Sequence, residues 1–320
     1  MLKIEGVIKH YRLHRSWLAG HEIVKAVDDV SLTVKPGESL GIVGESGCGK
    51  STLAKLIMML ETPTNGSIYF DGQNIAQLSN QCRRELRRDV QIVFQDTYAS
   101  LNPRFSIEES LEEPILNFSL ERKFPLAKRL QEMLDIVELP KSMLLRYPSE
   151  LSGGERQRVC IARALILQPR FIIFDEATSG LDVTLQSQIL AMLKELRREM
   201  GLTYLFITHN LKLIPYITER VAVMYKGKVV EMMDSSKLNQ AVHPYTQMLL
   251  AAIPVTHPQE RRIRDAIVFD DKQWDELKKN NGCKFYPRCS NSDPVCGEIE
   301  PKMTRCDHGG MISCRRYKKE

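Results

Sequence analysis

The chain has 320 residues, of which 43% are hydrophobic and 27% charged, and 45 Lys and Arg residues stand against 40 Asp and Glu. This length suits about two domains with sizeable cores, and the composition excludes an intrinsically disordered chain or a small disulfide-held scaffold. The net charge of +5 falls entirely within residues 277–320, where ten basic residues accompany five acidic ones. The neutral remainder argues against nucleic acid as a partner.

The first elements in chain order are two strands, LKIEGVIKHY and VKAVDDVSLTV, which can pair across the exposed loop HRSWLAGHE. A buried strand, ESLGIVGES, then enters a glycine-rich turn. The next segment, KSTLAKLIMMLE, has the period of a helix and precedes the helix-stopping Pro63. No apolar run approaches the roughly 20 residues that span a bilayer, and no secretion signal begins the chain, so we expect a cytoplasmic location.

Strands and helices alternate along the following sequence. A short hairpin and a strand precede a mostly helical segment from Ile107 to Glu150. After it come a helix, the buried strand FIIFDE, a long helix, the strand TYLFITH and two final strands. This order predicts an α/β domain with a largely parallel sheet. From about residue 236 the pattern changes to a short helix, an irregular charged stretch and a cysteine-rich tail.

Residues 44–51, GESGCGKS, have the pattern of a phosphate-binding loop. Glycines let backbone N–H groups turn toward phosphate oxygens, and the helix beginning near Lys50 directs its positive end at them. We expect Lys50 to neutralise the β- and γ-phosphates and the Ser51 hydroxyl to bind Mg²⁺. The residues expected to contact ATP in this segment are Gly44, Glu45, Ser46, Gly47, Cys48, Gly49, Lys50, Ser51 and Thr52.

The strand FIIFDE ends in two consecutive carboxylates. We expect Asp175 to hold Mg²⁺ through its water shell and Glu176 to polarise the attacking water. Such a strand end is also typical of a solvated loop, but the phosphate-binding loop in the same chain favours the catalytic interpretation.

The segment LSGGERQRV predicts a second anion site. A serine and two glycines directly before a helix offer a hydroxyl, N–H groups and a helix N-terminus. The same pattern also describes an ordinary serine N-cap with a capping box. This site has no lysine of its own, so it can cap the γ-phosphate held by the lysine loop of a second chain. The residues concerned are Ser152, Gly153, Gly154 and Glu155.

In this order the three motifs resemble the nucleotide-binding subunit of an ATP-binding cassette (ABC) transporter, over residues 1–235. The resemblance implies an α/β P-loop NTPase fold with a mixed sheet core, an antiparallel β subdomain and an α-helical signature subdomain at about 97–165. It also implies that Tyr11 stacks on adenine, that Gln95 contacts Mg²⁺ and water, and that His209 reaches the γ-phosphate. The residues implied to form a dimer-interface loop are Ser179, Gly180 and Asp182.

Three further segments, QDTYASLNPR, RYPSELSGG and HPYTQMLLAAIPV, resemble the oligopeptide, dipeptide and nickel importer group, and the chain resembles the second of its two ATPase subunits. This implies a peripheral ATPase on the cytoplasmic membrane face that powers import of di- or oligopeptides. Its implied partners are a related ATPase subunit, two permease subunits docking near 96–112 and, indirectly, an extracytoplasmic solute-binding protein. The alternatives are import of nickel or another chelated solute and, more distantly, a soluble ABC ATPase outside transport.

Five of the eight cysteines fall within residues 283–314 of the extension 236–320. The tail resembles the cysteine motif of the same importer group, which implies a [4Fe–4S] cluster on Cys283, Cys289, Cys296 and Cys314. From the residues alone, these thiols indicate a metal that holds a segment poor in apolar residues, and zinc or unmetallated thiols are the alternatives. Cys306 is the ambiguous fifth thiol, and Cys160 is expected in the core.

Overall fold

The structure is a computed structural model that describes residues 1–14, 21–123, 125–253, 281–307 and 309–317. One of its sheets is antiparallel and has four strands in the order β2-β1-β4-β5. These strands are β1 Leu2–His14, β2 His21–Val34, β4 Asn65–Phe70 and β5 Gln73–Asn74. The predicted pairing of the first two strands is confirmed. Most of the predicted loop between them, residues 15–20, lies outside the described residues.

A second, mixed sheet forms the centre of the molecule, with eight strands in the order β11-β12-β10-β9-β3-β8-β7-β6 among the described residues. The five strands from β9 to β6 are parallel, as the sequence predicts, and β10 to β11 are antiparallel. The strands are β3 Ser39–Val43, β6 Val90–Val93, β7 Phe171–Asp175, β8 Thr203–Thr208, β9 Arg220–Tyr225, β10 Lys228–Asp234, β11 Thr304–Arg305 and β12 Met311–Ile312.

The parallel strands bring the sequence motifs together. Because the carboxyl ends of parallel strands meet at one edge, the residues that follow β3, β6, β7 and β8 share that edge. The phosphate-binding loop follows β3, Gln95 follows β6, and His209 follows β8. Asp175 is the last residue of β7, and Glu176 comes directly after it. Residues scattered over more than 160 positions therefore meet at one site.

Helices cover the sheets on several sides, and none of those described is long and apolar enough to cross a membrane. The first ends at Ile57, earlier than the predicted helix, because the Met59 backbone is left-handed with φ of 54°. The helices are α1 Lys50–Ile57, α2 Asn80–Asp89, α3 Thr97–Ser100, α4 Ile107–Asn117, α5 Leu126–Ile136, α6 Gly153–Leu165, α7 Val183–Met200, α8 Ile214–Ile217, α9 Pro244–Ala251 and α10 Pro294–Glu298.

Three hydrophobic clusters hold these layers together. The first joins α4, α5, α6 and α7 to β7 and β8, and the second joins the antiparallel sheet to β3 and α1. In the third, Phe285 of the cysteine-rich tail packs on Tyr225 and Tyr245, with ring centroids 5.3 and 5.4 Å away. The tail also supplies β12, in which Ile312 pairs with Glu231 of β10. The tail is therefore richer in core contacts than its composition predicts.

Candidate nucleotide-binding site

The phosphate-binding loop runs from the end of β3 to the start of α1 and is shaped by glycines. Gly49, directly before the helix, has φ of 107°, which side chains rarely adopt. A Cβ there would lie 2.0 Å from the Ala26 carbonyl oxygen, and a Cβ at Gly44 would lie 2.1 Å from that of Met224. The neighbouring backbone therefore leaves no space for a side chain at either position, whether or not phosphate is bound.

Lys50 is buried and directed into its own loop. Its ammonium donates hydrogen bonds to the carbonyl oxygens of Gly44, at 2.8 Å, and Glu45, at 2.9 Å. Cys48 is buried beside it, and burial raises the pKa of its thiol. The loop thus holds the lysine where the sequence predicts phosphate binding, and Cys48 has the environment of a structural cysteine.

Ser51 and Asp175 are hydrogen-bonded although they are 124 residues apart in the sequence. The Ser51 hydroxyl donates to Asp175 Oδ1 at 3.1 Å. Burial raises the pKa of Asp175, the Ser51 hydrogen bond opposes that rise, and the charge of Glu176 adds to it. A hydroxyl and a carboxylate are the hard oxygen ligands that Mg²⁺ prefers. This pair therefore fits the predicted magnesium site.

Glu176 and His209 meet at the ends of neighbouring strands. Nδ1 of His209 lies 3.1 Å from Oε2 of Glu176. The Glu176 backbone is left-handed, with φ of 50°, and its N–H donates to the Ile207 carbonyl at 2.9 Å. Strained backbone of this kind concentrates at functional sites. Gln95 is exposed two residues after β6 at the same edge of the sheet.

Tyr11 lies beside the start of α1. Its side chain is hydrogen-bonded to Thr52, and its hydroxyl donates to the Glu61 carboxylate. Burial and that carboxylate raise the pKa of the phenol. The Lys9 ammonium lies 5.1 Å from the centroid of the ring. The aromatic ring is thus held next to the phosphate-binding loop, where a role in adenine stacking stays a prediction.

The signature residues form the start of α6. Ser152 Oγ accepts a hydrogen bond from the Glu155 N–H at 3.3 Å, and the Glu155 carboxylate accepts one from the Ser152 N–H at 2.8 Å. The capping box that the sequence allows is thus present. Gly154 is buried, and a Cβ there would lie 3.1 Å from the Leu185 side chain. Ser152 and Gly153 remain exposed at the helix N-terminus.

The predicted dimer loop is tied to Glu176. The Ser179 N–H donates to the Glu176 carbonyl at 2.9 Å, and Gly180 takes a left-handed backbone with φ of 80°. Asp182 caps α7 by accepting hydrogen bonds from Thr184 N–H and Leu185 N–H, both at 3.0 Å. Sequence reasoning gave Asp182 an interface role and missed this cap.

Comparisons with known proteins agree with the observed fold. The family model described as ABC transporter matches residues 27–179, and the one described as the oligopeptide/dipeptide transporter C-terminal region matches residues 230–296. The chain is 41% identical to the oligopeptide transport ATP-binding protein AppF of Bacillus subtilis, over 99% of this chain and 97% of AppF. The chain belongs to the ABC transporter family of ATP-binding proteins.

Two further relatives support this assignment. The ABC ATPase is 41% identical to the dipeptide transport ATP-binding protein DppF of Escherichia coli, over 98% of this chain and 93% of DppF. A solved structure described as a dimeric post-hydrolysis state of the ATP-binding cassette MJ0796 bound to ADP and Pi has a TM-score of 0.65 and 33% identity. It covers 73% of this chain and 99% of MJ0796. The predicted ABC cassette fold and ATPase class are confirmed.

The carboxyl-terminal extension of the ABC ATPase contacts the phosphate-binding loop, a contact that sequence reasoning missed. Both terminal nitrogens of Arg288 donate to the Glu45 carboxylate, at 2.9 and 3.0 Å. The Tyr245 hydroxyl accepts a hydrogen bond from the Glu45 N–H at 2.9 Å. The sequence analysis includes Tyr245 only as part of the segment HPYTQMLLAAIPV. No sequence feature predicts that Arg288 contacts the loop.

His243 and Pro244 explain the local structure of that segment. Pro244 is the first residue of α9, and His243 Nδ1 accepts a hydrogen bond from the Tyr245 N–H at 3.1 Å. The His243 N–H donates at 3.1 Å to the buried Glu231 carboxylate on β10. The His-Pro-Tyr sequence therefore starts a helix, fixes it to the sheet and directs its tyrosine at the loop.

The four cysteines predicted to form a cluster line one small cavity of about 20 Å³. Burial raises the pKa of Cys283, and it raises that of Cys289 to about 11. Cys306 lines a different cavity, beside Glu231. Among the described residues, no group of three or more His, Cys, Asp or Glu side chains is arranged to hold a single metal ion. The four thiols therefore share one cavity; His308 is not among the described residues.

Proposed function

We propose that this ABC ATPase hydrolyses ATP to power a membrane importer of dipeptides or oligopeptides. The observation that carries the ATPase chemistry is the contact of Ser51 with Asp175, with Glu176 directly beside it. The peptide substrate is supported by the relatives AppF and DppF, which are described as oligopeptide and dipeptide transport proteins. It is also supported by the oligopeptide/dipeptide family match over residues 230–296.

In the proposed mechanism, bound MgATP supplies the scissile phosphate bond and the metal charge that stabilises the transition state. Lys50 neutralises the phosphates, while Ser51 and Asp175 hold the metal. Glu176 orients and polarises the attacking water. His209, in contact with Glu176, reaches the γ-phosphate, and Gln95 contacts the metal and the water from the neighbouring strand end. Tyr11 stacks on the adenine.

We infer that each nucleotide site is completed by a second ATPase subunit. Ser152 and Gly153 are exposed at the N-terminus of the 13-residue helix α6, where N–H groups favour anions. With Gly154 and Glu155 they cap the γ-phosphate of the partner, and the loop of Ser179, Gly180 and Asp182 lies at the same interface. The dimeric structure of MJ0796 supports a paired arrangement. We propose that the partner is a related, non-identical ATPase.

The remaining partners follow from the importer assignment. Two permease subunits dock near residues 96–112, where Tyr98 of α3 is 54% exposed directly after the Gln95 segment. A solute-binding protein acts on the opposite membrane side. The ATPase then lies peripherally on the cytoplasmic face.

We also propose a division of the chain into a cassette at residues 1–235, with a helical subdomain at about 97–165, and an extension at residues 236–320.

We further propose a [4Fe–4S] cluster held by the four thiols of the cavity. Four thiolates are the usual ligands of such a cluster, and all four thiols line the same cavity. The cluster would supply structural support to the tail. Protein purified without oxygen should hold about four irons per chain, and Cys289→Ser should remove them. One zinc per chain, or no metal, would contradict this proposal.

The transport assignment is tested by reconstituting the ATPase with its permeases, its partner ATPase and the solute-binding protein in lipid vesicles. We expect di- or oligopeptides to stimulate ATP hydrolysis and to accumulate in the compartment that faces the ATPase. Stimulation by chelated nickel and not by peptides would instead support the second candidate substrate. ATP hydrolysis that needs neither permease nor vesicle would favour an ABC ATPase outside transport.

A further inference from the structure

We propose that Arg288 is a positioning residue for ATP binding, because it holds the Glu45 carboxylate away from the phosphates. Glu45 is the second residue of the phosphate-binding loop, in a segment that must accept several negative charges. A carboxylate left unpaired at this position would repel the nucleotide. Arg288 reaches it from the carboxyl-terminal extension, 243 residues away in the sequence.

Every polar group of Glu45 has a hydrogen-bond partner, and two of the three partner residues belong to the carboxyl-terminal extension. Its N–H donates to the Tyr245 hydroxyl, at 2.9 Å. Its carbonyl accepts from Lys50, at 2.9 Å. Its carboxylate accepts two hydrogen bonds from Arg288, at 2.9 and 3.0 Å. Such a two-point contact fixes the direction in which the carboxylate points and also neutralises its charge. The extension therefore determines where both the backbone and the side chain of this loop residue lie.

Arg288 is itself held by the aromatic cluster of the third core. Its guanidinium carbon lies 6.0 Å from the ring centroid of Tyr225 and 5.9 Å from that of Phe285. The Arg288 side chain is 15% exposed, whereas that of Glu45 is 40% exposed. Arg288 is thus packed against two aromatic rings. It restrains the more exposed side chain of Glu45.

The test measures ATP affinity of the full-length chain by equilibrium titration with Mg²⁺ and a fluorescent ATP analogue. We expect Arg288→Gln to weaken binding by roughly three- to tenfold, the size of a partly exposed charge interaction. In a Glu45→Gln background, the same Arg288→Gln change should alter affinity by less than about twofold, because no carboxylate remains to be neutralised. Raising the salt concentration should shrink the defect of the single variant.

A matched control is Arg220→Gln. Arg220 pairs with Glu38 at 2.8 Å, but at the amino-terminal edge of the parallel strands, opposite the loop. This variant should not change ATP affinity. The proposal is overturned if Arg288→Gln weakens ATP binding no more than the control does. It is also overturned if the loss is equally large in the Glu45→Gln background or insensitive to salt, since either result indicates lost packing.

Arg288→Lys provides a second route if Arg288→Gln does not fold. Lysine keeps the charge but lacks the planar two-point contact. We expect an ATP affinity below that of the parent, and raising the salt concentration should shrink the difference. A lysine variant that folds and binds ATP more weakly than Glu45→Gln at every salt concentration would contradict the charge-based role.

Discussion

Nδ1 of His209 lies within hydrogen-bond distance, 3.1 Å, of the carboxylate of Glu176. The two residues follow adjacent parallel strands, so the sheet itself brings them together. Glu176 is also fixed through its backbone, which contacts Ile207 on one side and Ser179 on the other. The candidate base is therefore held by the core strand, by the predicted dimer loop and by the histidine.

Glu176→Gln should separate binding from turnover. The amide keeps the shape of the side chain but cannot accept a proton, while Ser51 and Asp175 are untouched. We expect ATP binding to be retained and phosphate release by the assembled transporter to fall by about 100-fold or more. Glu195→Gln, on the exposed surface of α7, is the control and should retain the parental rate. More than half of the parental rate in Glu176→Gln would refute the assignment.

Ser152→Ala should have two separable effects. Removing the N-cap of α6 should lower the free energy of unfolding by about 1 kcal/mol. It should also reduce ATP hydrolysis in the assembled dimer, because the hydroxyl is proposed to contact nucleotide on the partner. The control is Ser79→Ala, since Ser79 caps α2 with the same 3.3 Å hydrogen bond. Equal ATPase rates for the two variants would leave Ser152 with a capping role alone.

His243 should make the protein less stable in mild acid. Burial lowers its pKa from the ordinary 6.5 to about 4, so the unfolded chain binds the proton more readily. Its contribution to stability is fully present above pH 6.5 and is lost as the pH falls toward 4, by about 3 kcal/mol in all. His243→Asn retains a capping oxygen but does not titrate. Urea unfolding at pH 7 and pH 5 should show a smaller acid loss in this variant, and an identical loss would contradict the prediction.

Cysteine alkylation should discriminate between exposed and core thiols. Burial raises the pKa of Cys160 to about 11, so only about one molecule in a thousand carries its thiolate at pH 8. Cys82 is exposed on α2. Iodoacetamide should therefore label Cys82 and spare Cys160 in the folded protein, and urea should abolish the difference. Peptide mass spectrometry provides the measurement; comparable labelling of both residues without urea would place Cys160 outside the core.

Local sequence predicts well which segments form strands, because alternation and turn residues act over a few positions. The strand that ends at Asp175 is an example, since the apolar run FIIF predicts a buried strand and all five residues of the observed strand are buried. The end of α1 was predicted too late, because nothing in the apolar run LIMML reveals that Met59 turns left-handed.

Contacts between distant segments follow a different logic. The proximity of Ser51 and Asp175 could be predicted only because each belongs to a motif whose expected ligand is the same Mg²⁺ ion. Glu45 stands at a variable position of the phosphate-binding loop, no motif states what Arg288 must bind, and one arginine in a basic tail is indistinguishable from its neighbours. The pairing depends on the burial of Phe285 against Tyr225, and that contact is determined by how the whole chain packs. Local sequence patterns therefore do not predict it.

We expect the pairing of β12 with β10 to protect the central sheet from self-association as well. Without the tail, β10 would be a seven-residue border strand with unpaired N–H and C=O groups along one side. Such borders recruit strands from other molecules. The tail instead pairs with Glu231 and Met232 of β10 and leaves β11, only two residues long, at the margin. A chain cut after residue 235 would retain every nucleotide motif, yet we expect it to form oligomers through its uncovered border.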